Sequence, residues 1–123
     1  MLSTITTAGI WIIALLHLWF CILEVYFWKK PLGLKVFNLD KEFAQQSATL
    51  AANQGIYNSF LSAGLFWGLF SSDPLQALHI KIFFLCCIAI AGIAGGLLVN
   101  LRILFIQALP AVITLLLLFL VNH

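Results

Sequence analysis

Charge is what this chain has least of. Six Lys or Arg and four Asp or Glu are spread over 123 residues, 8% of the total. A soluble domain uses about a quarter of its residues for charge. So few charges cannot coat a water-facing globule, and that class is excluded. The net charge of +2 is too small to suggest nucleic acid as a partner. Cysteine is scarce too. Cys21, Cys86 and Cys87 lie inside apolar runs and are odd in number, which argues against a disulfide framework. No Cys-x-x-Cys or Cys/His spacing is present, so no metal site is expected, and the thiols read as small buried hydrophobes. No phosphate loop or activated nucleophile is recognisable. No cofactor is expected, and catalysis stays an open question.

Hydrophobic residues are abundant, at 63%. About 20 apolar residues at 1.5 Å each cross a hydrocarbon core of about 30 Å. The expected fold is all-α: a polytopic membrane protein, a single domain over 1–123, with four transmembrane helices in a bundle. The helices are expected at about 5–28, 41–70, 75–99 and 103–121. The N-terminal stretch has no Lys or Arg before Ile5, and no small-x-small cleavage site follows. It is expected to stay as the first membrane helix. "KKPLG" should break the chain after helix one, because Pro31 and Gly33 both interrupt helices. Asp40 can cap the second helix. Unbroken to Phe70, that helix is about 45 Å long, so its first turns should stand outside the core. Pro110 is a candidate kink in the fourth.

Lys29, Lys30, Lys35 and Lys41 fall in the first loop and Arg102 in the third turn, against Lys81 on the other side. This bias predicts the orientation of a multi-pass protein, expected in the plasma (inner) membrane. Both termini would lie outside and the loop 29–47 would be cytoplasmic. Gly92, Gly95 and Gly96 in "AGIAGG" let backbones approach closely. Intramolecular packing is their first reading, and a homo-oligomer interface the second. Ala63, Gly64 and Gly68 give the second helix a similar thin edge.

The polar residues gather at one depth. Glu24 and His17 on helix one are seven residues apart and share a face within about 20°. Asn53, Gln54, Tyr57 and Asn58 lie within two turns of helix two. Asn100, Arg102 and Gln107 add to the same cytoplasmic half. Each would cost free energy facing lipid unpaired, and a carboxylate most of all. Glu24 is either ionised and paired with Arg102 or the amides, or protonated. Asn58 and Gln107, taken singly, read as interhelical glue. His17 reads first as hydrogen-bonded packing, and Arg102 as a topology anchor. Glu24 facing Asn53, Gln54 and Tyr57 is more polarity than glue needs. These residues, with Asn58, His17 and Arg102 at the border, form the candidate ligand site.

The segments "HLWFCILEVYFW", "KPLGLKVFNLD" and "AANQGIYNSFLSAGLFWG" carry a resemblance. The chain resembles the family catalogued as "domain of unknown function 1304" over nearly its whole length. The resemblance implies a four-helix membrane protein of an uncharacterised family and brings no activity with it. A weaker likeness is to the membrane-associated eicosanoid and glutathione metabolism family. It too has four helices, an outside N-terminus and a polar motif entering helix two. Aligning that family's Asn with Asn53 puts Thr49 at its Arg position and Ile56 at its Glu position. The charged residues that hold glutathione are absent, so the cofactor does not carry over.

Three functions compete on this basis. The first is binding of a small polar or lipidic molecule from the cytoplasmic leaflet at Glu24, Asn53, Gln54 and Tyr57. The second is a structural or accessory membrane subunit. The third is a small oligomeric proton-coupled transporter using Glu24 and His17. Membrane lipids are partners in every case.

Overall fold

A computed structural model describes every residue, Met1–His123. The chain is all-helical, with no strands. We number the helices α1 (Leu2–Phe27), α2 (Pro31–Val36), α3 (Lys41–Phe70), α4 (Pro74–Leu98) and α5 (Leu101–Asn122).

Three of the four expected spans, α1, α4 and α5, are long and apolar enough to cross a membrane. α3 has the length, at 30 residues. It falls outside that set because Asn53, Gln54, Tyr57 and Asn58 dilute its middle. The protein is therefore an all-helical membrane protein with three helices of spanning composition.

Local chemistry fixes the helix ends. The Asp40 carboxylate accepts the Phe43 N–H at 2.8 Å, so Asp40 caps α3 as its position suggested. Asp73 accepts the N–H groups of Leu75 and Gln76, with Pro74 in the first helical position of α4. Asn100 accepts the Arg102 N–H at 2.9 Å and starts α5. Its side chain caps a helix and does not join a polar cluster through that oxygen.

The expected break after helix one is present at residues 28–30, but it is shorter than "KKPLG". Residues Pro31–Val36 form a short helix. Pro31 occupies a first-turn position, where its missing N–H costs nothing. A Cβ at Gly33 would meet the Phe27 carbonyl oxygen, so glycine lets α2 fold tightly against the end of α1. Just past α2, Asn38 takes a left-handed φ of 53°. The Leu39 N–H then reaches the Leu34 carbonyl at 2.9 Å, closing the helix end.

Two π-helical turns interrupt the spans, at Leu23–Phe27 in α1 and Leu104–Ala108 in α5. The second lies just before Pro110, where the ring displaces the carbonyl four residues earlier. The irregularity expected at Pro110 therefore takes the form of a widened turn.

The chain's contacts gather into two compact units. The first comprises Met1–Ala14 and Ala63–His123, the second Leu15–Ser62. Ile10, Leu65, Leu85, Ile88 and Ala111 are core residues of the first unit. Trp11 meets Phe66 and Phe70 edge-on, at 5.4 and 5.7 Å between ring centres. The Phe84 ring lies over Gly64, and the Lys81 stem over Gly68. The thin edge of α3 thus receives α4. Gly92, Gly95 and Gly96 face Ala108, Ile103 and Leu104 of α5, so this glycine face is filled from within the chain.

A Cβ at Gly92 would lie 2.5 Å from the Ala108 backbone nitrogen. Gly92→Ala is expected to destabilise the protein by about 1–3 kcal/mol in denaturation from detergent micelles. A second change, Ala108→Gly, should not restore stability, because the clash is with backbone.

Candidate functional site

The second unit holds every candidate residue except Arg102. Glu24 sits in the π turn that ends α1. Such turns admit an extra residue and recur at functional sites. Glu24 is half-buried. Its Oε1 accepts a hydrogen bond from Asn58 Nδ2 at 2.9 Å, joining α1 to α3. Of the two partners expected for Glu24, an amide makes the bond, and the amide is the one first read as glue.

Gly55 makes this bond possible. A Cβ there would lie 2.9 Å from Val25 Cγ2, 3.0 Å from Glu24 Cβ and 3.1 Å from the Cys21 carbonyl oxygen. Hydrogen in its place lets α3 press against α1 where Glu24 projects. Ala51, Gly55 and Ser62 are buried and Asn58 half-buried, so they share the inward face. The sequence reading passed over Gly55. Its signal was there, a glycine between two polar pairs in "NQGIYN".

Asn53, Gln54 and Tyr57 are exposed. Asn53 and Tyr57 each stand two residues from Gly55, about 200° round the helix. The expectation that they face Glu24 is corrected by this geometry. A two-residue step reverses the face, while Asn58, three residues from Gly55, stays on it. Gln54 precedes Asn58 by four residues and flanks the inward face. Tyr57 stacks edge-on against Phe60 at 5.8 Å.

His17 is fully buried and meets Phe20 edge-on at 5.8 Å. It packs inside the second unit. Trp28 anchors the lower end of that unit: its indole N–H donates to Ser47 Oγ at 3.0 Å, and its ring lies 4.9 Å from Phe37. Ser47 in turn donates to the Phe43 carbonyl at 2.6 Å. The sequence reading missed the Trp28–Ser47 bond as well, and a 19-residue separation carries no sequence signal. Arg102 belongs to the first unit and is exposed at the start of α5. Gln107 lies in the second π turn.

A cleft of about 450 Å³ occurs in the first unit, lined by residues such as Ile5, Gly9, Ile12, Pro110, Ile113 and Thr114. Its wall holds no ionisable side chain. No group of three or more His, Cys, Asp or Glu residues is arranged to hold a metal ion.

The sequence family described as "Protein of unknown function (DUF1304)" matches residues 11–119. The chain belongs to the DUF1304 family. It is 31% identical over 84 residues to "Uncharacterized protein YpaA" of Lactococcus lactis subsp. lactis (strain IL1403). That alignment covers 66% of this chain and 71% of the relative. No solved structure matches. Glu24, Gly55 and Asn58 all fall inside the DUF1304 match.

The α1–α3 contact of this DUF1304 protein should be intolerant of added bulk. Gly55→Ala is expected to cost about 1–3 kcal/mol, since the Cys21 carbonyl cannot swing away. Thermal unfolding in micelles, followed by tryptophan fluorescence, reads the loss. Gly55→Leu should prevent a stable fold.

Proposed function

We propose that this membrane protein binds a small polar or polar-headed lipidic molecule at Glu24, reached from the cytoplasmic leaflet of the plasma membrane. One observation carries the reading. A carboxylate in a membrane helix, only half-buried, is held through one oxygen by a single amide. Ionisable groups at such depth normally face a partner or a polar ligand. Asn58 orients the carboxylate, and Gln54 stands one turn away to receive a second polar group. The apolar faces of α1 and α3 suit a hydrocarbon tail.

The proposal includes four crossings, with α3 as the fourth. At 30 residues α3 is about 45 Å long, enough to span and still project. The inward pairing of Asn58 with Glu24 lowers the cost of carrying that polarity into the membrane. The four lysines between α1 and the start of α3 would then lie in the cytoplasm with Arg102, and both termini outside. Reporter fusions at the two ends decide this directly. Four crossings put both ends on the outer side; three put them on opposite sides.

A structural role for the pair is the second reading, favoured by the same Asn58 bond, which already occupies one oxygen. The two are separated by a conservative change. Protein taken gently into nanodiscs is expected to carry a polar-headed amphiphile visible by native mass spectrometry. Glu24→Gln should reduce its occupancy at least tenfold while the helical content holds, because a bond to a charged acceptor contributes about 1.5–3 kcal/mol. Loss of stability with no bound molecule in either protein would instead support the structural role.

A further inference from the structure

The exposed face of α3 has an order of its own. Phe43, Gln46, Leu50, Asn53, Tyr57 and Phe60 follow one another at steps of three and four. This is the spacing of the inner positions of a coiled coil, where two helices meet along a seam. All six are exposed. Leu50 is 68% accessible, Phe43 51%, and Tyr57 and Phe60 56% each. The seam is about 26 Å long. It runs opposite the face that Gly55 and Asn58 turn toward α1.

We propose that a second copy of this chain covers the seam, with α3 packed against its equivalent. Three observations favour that occupant. First, Phe43, Leu50, Tyr57 and Phe60 set apolar surface on both sides of Asn53 along one face, enough for a second helix to lie against. Second, the pattern places Asn53 in the middle. An amide facing hydrocarbon leaves two donors and an acceptor unpaired. Third, an amide complements itself. Copies inserted in one orientation bring their α3 helices together in parallel, so each layer meets its own counterpart. Asn53 Nδ2 of one copy then donates to Oδ1 of the other, and a buried Asn sets the register as it does in coiled coils. Leu50, Tyr57 and Phe60 pack above and below that layer. The association surface is therefore on α3, while the glycine face of α4 is filled by α5. This inference rests on α3 crossing the membrane as proposed above, and not on any ligand at Glu24.

The test uses full-length protein in native membranes. With Cys21, Cys86 and Cys87 replaced by alanine, single cysteines are placed by Leu50→Cys and Phe60→Cys. Ile90→Cys and Leu116→Cys serve as controls, at residues 68% and 58% accessible. Oxidation should give cross-linked chains at the seam positions and background at the controls. Native mass spectrometry of the wild type in nanodiscs should show more than one copy. Asn53→Leu should shift that distribution toward single chains, weakening association about tenfold. A wild type that stays single, or cross-linking as strong at Ile90 or Leu116 as on the seam, overturns the proposal. So does an unchanged distribution in Asn53→Leu.

Discussion

A polar side chain inside hydrocarbon must find a partner, and in the proposed four-crossing arrangement that constraint organises α3. Water cannot serve, and an unpaired amide costs several kcal/mol by transfer from water to an apolar medium, roughly 4–8 on the most apolar reference. α3 carries four hydrogen-bonding side chains within two turns. The fold answers one of those four demands within the chain. Asn58 turns inward and meets Glu24 at 2.9 Å. The other three, Asn53, Gln54 and Tyr57, remain on the outer surface. Gly55 sits at the pivot between the two sets.

Small residues do for the rest of the fold what Gly55 does for this pair. Lipid offers no hydrophobic drive between helices, so close packing has to hold them together. Gly64 and Gly68 receive α4, and Gly92, Gly95 and Gly96 receive α5. The two π turns complement these contacts. Each carries a polar residue, Glu24 in one and Gln107 in the other. A widened turn re-aims its side chains, and in α1 it presents the carboxylate toward Asn58. Packing, irregular backbone and the candidate site are thus one arrangement seen at three scales.

Much of the architecture was legible in the chain. Apolar length marked α1, α4 and α5, and Asp40 marked the start of α3. The polar cluster on α3 was legible as a group. Its division between faces was not, because that division depends on which side of α3 meets α1. Once Gly55 is known as the contact, a two-residue step sends Asn53 and Tyr57 outward and a three-residue step keeps Asn58 inward. The helix at Pro31–Val36 was missed because Pro and Gly were weighed as breakers, when Pro31 starts a helix and Gly33 fits a crowded corner. Neither π turn has a sequence signature, although Pro110 hints at the second.

The division of α3 into an inward and an outward polar face is best tested by a pair of double-mutant cycles on stability in micelles. One cycle joins Glu24→Gln to Asn58→Ala, the other Glu24→Gln to Asn53→Ala. Coupling of about 0.6–2 kcal/mol between positions 24 and 58, with none between 24 and 53, is the predicted result. Coupling between 24 and 53, with positions 24 and 58 independent, would contradict it.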